Sequence, residues 1–327
     1  MGKTVLITGG AGYIGSHVCK ILADNGFLPV TYDNLSRGNK WAVQWGQFEK
    51  GDILDSDRLE EVFVKHKPVA VMHFAALSSV GESVKDPMPY YRINVCGTLS
   101  LLDAMRKNGV EKMLFSSSCA IYGEHLQAQI SENQIKKPIN PYGMSKLAVE
   151  NILADYDSAY KLKSISLRYF NAAGADPDCK IGEVHKFETR IIPILLEVAN
   201  GTRQNFTIYG SDYDTPDGTC VRDFIHVNDI ANAHILALKE LLNNYTSASY
   251  NLGNGNGFSV KEIIQCVREV TNQPISTQLG PRRPGDPSVL VSNSQQAISK
   301  LGWTPERSSL TSIIEDAWRW SLHFQNK

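Results

Sequence analysis

A phenol and an ammonium one helical turn apart open the chemistry of this chain. In "NPYGMSKLAVEN", Tyr142 precedes Lys146 by four residues and follows Pro141. Residues at that spacing share a helix face, so both heads can bear on one point. An amphipathic helix beginning after Pro141, with Tyr142 half buried and Lys146 solvated, would produce the same pattern without chemistry. A hydroxyl upstream raises the stakes: "SSSCAIYG" places Ser118 at the end of an apolar run. Ser, Tyr and Lys beside a nicotinamide ring can move a hydride and a proton together. The phenol, with a reference pKa of ~10, would be drawn towards working pH by Lys146 and by the positive ring.

The elements that must position these groups alternate. "TVLITGG", "LPVTYDN", "VAVMHFAA", "KMLFSSSCAIYG" and "SISLRYFN" are rich in β-branched and aromatic residues and end in small or polar ones. Between them lie segments with apolar residues at helical spacing, such as "DRLEEVFVKH" and "SKLAVENILADYDSAY". The alternation predicts an α/β fold, a doubly wound parallel (Rossmann) sheet covered on both faces. From about Asn171 the rhythm breaks into loops before helical patterns return. Residues 1–172 are therefore expected to form a cofactor domain and 173–327 a smaller mixed α/β substrate domain, with a segment near 222–242 able to pack back on the first.

At the first strand–helix junction, "VLITGGAGYIGSHV" carries Gly9, Gly10, Gly12 and Gly15. A diphosphate needs backbone N–H groups and a helix N-terminus brought close, and side chains at these positions would block that approach. The second strand ends at Asp33, whose carboxylate can accept from ribose hydroxyls and would repel a 2'-phosphate. This favours NAD over NADP, although Arg37 nearby could offset the repulsion. "GDILD" offers Asp52 and Ile53 to the adenine.

The bulk properties exclude several classes. The chain has 327 residues, 42% of them hydrophobic, and a formal net charge of -1, so no global field favours nucleic acid or an anionic membrane. No apolar run approaches the ~20 residues that span a bilayer. The six cysteines and eight histidines show no metal spacing, no metal is expected, and a cytoplasmic protein with reduced thiols is anticipated.

Together with "HFAALSSVGES", "YYRINVCGTL", "LRYFNAAGA", "GSDYDTPDGTCVRDFIHVNDIA", "YNLGNGNGFSV" and "PRRPGDP", these motifs resemble the extended short-chain dehydrogenase/reductase superfamily. Within it the resemblance is to the UDP-glucose 4-epimerase family, over nearly the whole length. The resemblance implies reversible epimerisation of UDP-galactose and UDP-glucose at carbon 4 through a 4-keto sugar, with Tyr142 as acid/base, Lys146 as its electrostatic support and Ser118 as positioning hydroxyl. It implies cofactor contacts from Tyr13, Ile14, Asn34, Ser36, Gly38, Phe74, Ala75, Ser78, Asn94, Ser116 and Phe170. It further implies UDP-sugar contacts from Asn171, Arg190, Ile191, Thr207, Tyr209, Arg222, Phe224, Arg283, Asp286 and Leu290, and a homodimer built from the helices containing Asn94 and Tyr142.

Dehydratases of this superfamily carry Asp and Glu after the catalytic hydroxyl residue. Here Cys119 and Ala120 follow Ser118, and neither supplies that acid–base pair. Three positions depart from the family pattern. Ser78 stands where some members have lysine. Arg190 replaces asparagine or histidine, and either strengthens diphosphate binding or points outward. Leu290 is intermediate between the tyrosine associated with excluding N-acetyl sugars and the small residue associated with admitting them. A 4-epimerase of UDP-N-acetylhexosamines or another UDP-sugar therefore stays open, as does a non-catalytic NAD sensor, which would have no need of Ser118, Tyr142 and Lys146 together.

Overall fold

The computed structural model describes residues 2–124, 129–185, 188–283 and 286–325. The first part runs β1 (Thr4–Thr8), α1 (Tyr13–Asp24), β2 (Leu28–Asp33), β3 (Gln47–Lys50), α2 (Ser56–His66), β4 (Ala70–His73), α3 (Val80–Lys85) and α4 (Met88–Tyr90). A π-helical turn over Tyr91–Cys96 leads to α5 (Gly97–Lys107), β5 (Lys112–Ser118), α6 (Pro141–Tyr160) and β6 (Lys163–Tyr169). The second part comprises β7 (Asn171–Ala173), α7 (Ile191–Ala199), β8 (Phe206–Tyr209), β9 (Val221–His226), α8 (Val227–Asn244), β10 (Ala248–Leu252) and β11 (Gly257–Ser259). It ends with α9 (Val260–Thr271), β12 (Thr277–Gly280), β13 (Val289–Leu290), α10 (Gln295–Leu301) and α11 (Leu310–Gln325).

Seven parallel strands form the main sheet in the order β10-β6-β5-β4-β1-β2-β3. The order reverses between β1 and β4, which makes the loops after these strands the walls of a crevice. Both sheet faces are dry. On one, Val5, Ile7, Met72, Leu114 and Leu167 pack under α1 and α8; on the other, Leu6, Val71, Met113 and Phe115 pack under α2, α5 and α6. Strands buried on both sides must be apolar at successive positions, which is how "VLI" and "AVM" read.

Beyond β6 the chain builds smaller sheets: β9 pairs β11, β13 and β7, and β8 pairs β12. A separate core of Ile192, Leu195, Ile208, Phe224, Ile263 and Ile313 lies among α7, α9 and α11. The boundary expected at 172 is crossed twice. Helix α8 packs on α1, β5 and β6, and β10 pairs in parallel with β6 as the seventh strand. "ASYNL", five residues with only Tyr250 and Leu252 large and apolar, carries no strand signal of its own and takes its place through the pairing with β6.

Candidate active site

The catalytic helix is set by its first turn. Asn140 caps α6 by accepting from Gly143 N at 2.9 Å, and Pro141 takes the first helical position, where its missing N–H costs nothing. A Cβ on Gly143 would lie 2.4 Å from Ala120 O, so glycine lets the helix start press against the turn that follows Ser118. Tyr142 and Lys146 are thereby brought beside the end of β5.

Lys146 is 3% exposed, and its Nζ donates to Ser116 O at 2.8 Å. The ammonium lies 6.0 Å from the Tyr142 ring centroid and 4.8 Å from that of Phe115. Burial without an acidic partner pushes the Lys146 pKa down to about 7. Burial also pushes the Tyr142 phenol up to about 12, while the Ser118 hydroxyl beside it and the Arg190 guanidinium draw it down. In the protein alone burial outweighs these neighbours; the lowering expected from the sequence includes the positive nicotinamide ring.

Gly9 has a φ of +75°, and a Cβ there would lie 2.5 Å from Ala75 N across the crevice. A Cβ on Gly15 would lie 2.3 Å from Gly9 O. Helix α1 has Gly12 as its N-cap and no capping side chain, leaving first-turn N–H groups for an anion. Asp33 bridges the turn and the next loop, accepting from Ala11 N at 3.0 Å and Leu35 N at 2.8 Å. Its burial raises its pKa against these two bonds. Arg37 is paired with Glu82 at 2.9 Å on the surface. Asn34 donates to Asp52 at 2.8 Å, fixing the two loops that face Asp33. A glycine cradle, an uncapped helix start and a carboxylate at this spacing fit a dinucleotide without a 2'-phosphate.

A cleft of about 1550 Å³ joins these groups to the second core. It is lined by every residue expected to touch cofactor or sugar nucleotide except Gly10 and Asn94. Asn94 sits in the π-helical turn, and both its oxygen and its nitrogen are engaged: Oδ1 accepts from Leu77 N at 2.8 Å, and Nδ2 donates to Leu77 O and Ser145 Oγ. It holds the loop containing Ser78 against α6. Ser145, which sequence reasoning passed over, completes the link by donating to Tyr142 O at 2.7 Å.

On the opposite wall, Arg222 and Asp286 pair with each other, and Arg222 also donates to Pro287 O at 2.7 Å. The Arg283 guanidinium lies 4.1 Å from the ring centroid of Tyr209. Asn171 donates to Asp223 O at 3.0 Å, Phe224 lies in the second core, and Leu290 packs against the cluster of Cys119, Tyr122 and Phe170. Arg190 does not point away: it pairs with Glu183 and lies 5.7 Å from the Tyr13 ring centroid. Among the described residues, Glu183, His185 and Glu188 are grouped as a metal site would be, but the Arg190 cation already meets Glu183 there.

The fold and the site define an NAD-dependent enzyme of the dehydrogenase/reductase type that works on a hydroxyl-bearing carbon. The chain belongs to the NAD dependent epimerase/dehydratase family, whose model matches its residues 5–253. It is 51% identical over 319 residues to the UDP-glucose 4-epimerase of Rhizobium leguminosarum bv. trifolii, covering 98% of this chain and 97% of that protein. The crystal structure of UDP-glucose 4-epimerase from Brucella ovis in complex with NAD superposes with a TM-score of 0.95 at 49% identity, covering 97% of this chain and 98% of that one. The enzyme from Bifidobacterium longum in complex with NAD+ and UDP has a TM-score of 0.95 at 36% identity, with 99% of each chain covered.

Proposed function

We propose that this protein interconverts UDP-galactose and UDP-glucose by inverting carbon 4, with NAD retained through the cycle. The observation that carries the reading is the convergence of Ser118, Tyr142 and Lys146 on one cleft that runs from the glycine cradle to Arg222 and Arg283. NAD, held by the glycine cradle, the uncapped start of α1 and Asp33, would supply hydride chemistry at carbon 4 and a positive ring beside the phenol. Tyr142 takes the proton from O4 and gives it back. Ser118 hydrogen-bonds the same oxygen and keeps it in line, and Lys146 favours the phenolate. Residues 1–172 hold the cofactor, through Gly9 to Gly15, Asp33 and the loops around Asp52 and Ser78. Residues 173–327 hold the sugar nucleotide, with Arg222, Arg283 and Arg190 set for its diphosphate.

The protein forms a homodimer in this reading. Met88, Tyr91, Leu99 and Met144 are exposed on the helices around Asn94 and Tyr142, and a second copy would cover them. Its six cysteines are free, which suits a reducing cytoplasm, and among the described residues no helix is long and apolar enough to cross a membrane. The test is incubation of purified protein with UDP-galactose and no added NAD, followed by chromatography of UDP-glucose. Conversion is expected; no conversion even with NAD supplied would refute the assignment.

A further inference from the structure

One turn beyond Lys146 on the catalytic helix lies a buried polar network that the reaction itself does not use. Arg168 on β6, 1% exposed, meets Glu150 on α6 through two bonds, Nε to Oε1 at 2.9 Å and Nη2 to Oε2 at 2.8 Å. Its Nη1 donates to Tyr122 Oη at 2.8 Å, and Tyr122 donates to Asn251 Oδ1 on β10 at 2.6 Å. Ser117 donates to Glu150 Oε1 at 2.6 Å, and Lys136 stands 3.5 Å from Oε2. Three strands, one helix and the segment after Ser118 are thus tied at one point.

The placement of the pair carries the argument. Glu150 lies four residues beyond Lys146 and eight beyond Tyr142, so the three share a helix face. Ser117 directly precedes Ser118. The network therefore fixes α6 to the same strand that presents Ser118, one turn beyond the ammonium. Apolar packing alone tolerates small slides and rotations of a helix, whereas a bidentate guanidinium–carboxylate pair has one geometry. A buried pair of this kind adds little net stability over apolar residues of similar volume. Its effect is on register.

We propose that Glu150 and Arg168 are positioning residues for the epimerase reaction, holding the rotation and axial register of α6 so that Tyr142 and Lys146 meet Ser118. The proposal rests on the function argued above. The test compares the parent with Glu150→Gln and with the double variant Glu150→Leu/Arg168→Met, which leaves no buried charge unpaired. Folding is followed by thermal melting, NAD retention by gel filtration, and kcat, KM and the pH profile of kcat are measured with UDP-galactose.

The expected result for the double variant is a folded, NAD-bearing protein with KM within about threefold of the parent. Its kcat should fall by about tenfold to a hundredfold, as a small misplacement of reacting groups produces, and the acid limb of the pH profile should move. Unchanged kcat and pH profile per NAD-bearing molecule would overturn the proposal. Should both variants fail to fold, Tyr122→Phe removes one edge of the network while keeping the charge pair; a lowered kcat at unchanged KM is expected, and a parental kcat overturns. If the parent itself does not turn over UDP-galactose, ultraviolet difference titration of the Tyr142 phenol, with Tyr142→Phe as blank, separates the two ideas. A phenol pKa identical in parent and double variant then refutes positioning.

Discussion

Replacing Lys146 by methionine tests the electrostatic core of the mechanism. The ammonium is 6.0 Å from the Tyr142 ring centroid, which stands here for the position of the phenolate charge. At an effective dielectric constant of ~20, unit charges that far apart interact by about 2.8 kcal/mol. One pKa unit corresponds to about 1.4 kcal/mol, so the cation favours the phenolate by about two units. The coupling is mutual: as Tyr142 ionises, the Lys146 pKa rises from about 7 by the same two units, and the charge persists where it is needed. Lys146→Met is near-isosteric and apolar, so it removes the charge without leaving a buried group unsatisfied except Ser116 O, its acceptor at 2.8 Å. The acid limb of kcat for UDP-galactose should move up by about two pH units, with kcat at neutral pH down about a hundredfold. The assay is the pH profile of NAD-loaded protein between pH 5 and about 10, supported by ultraviolet titration of the phenol. An acid limb shifted by less than about half a unit in protein that still carries NAD would refute the argument.

Tyr142→Phe should lower kcat by about 10²- to 10⁴-fold, the usual range for a lost acid/base, with NAD still bound, which gel filtration with absorbance readout checks. Asp33→Ser should weaken NAD at least about tenfold, since one hydrogen bond to a charged group is worth ~1.5–3 kcal/mol; it should also narrow the gap to NADP, and calorimetric titration of both cofactors into stripped protein reads this. Leu290→Tyr should suppress turnover of UDP-N-acetylgalactosamine relative to UDP-galactose, and Leu290→Ala should raise it; equal ratios in both variants would remove Leu290 from the sugar pocket. Asp316 provides an acid-stability test. Burial alone would raise its pKa, but hydrogen bonds from His226, Arg307 and Arg319 hold it down to about 2. A depressed carboxylate stabilises above its unfolded pKa of ~3.9 and loses that contribution as pH falls towards 2. Asp316→Asn should therefore melt well below the parent at pH 7 and closer to it near pH 3, and a constant gap would sink the idea.

The local chemistry was legible in the chain because it is written at short range. The glycine turn, Asp33 eighteen residues after Gly15, and Tyr142 one turn before Lys146 are spacings that a strand end or a helix face imposes directly. The alternation of apolar runs with helical patterns likewise announced a parallel sheet, since strands buried on both faces leave a period that few other arrangements share. What the tertiary structure decided depends on residues far apart in sequence. The seventh strand, "ASYNL", takes its place only through pairing with β6 some eighty residues earlier. Asn94, expected near the cofactor, turned out to spend its amide on Leu77 and Ser145. The Arg222–Asp286 and Glu150–Arg168 pairs join charges 64 and 18 residues apart, which no local spacing couples. The weight of burial on Tyr142 and Lys146 was decided in the same way. Composition supplied a phenol and a cation, but how much water folding removes from each is a property of the packed site, and desolvation is the largest influence on both groups.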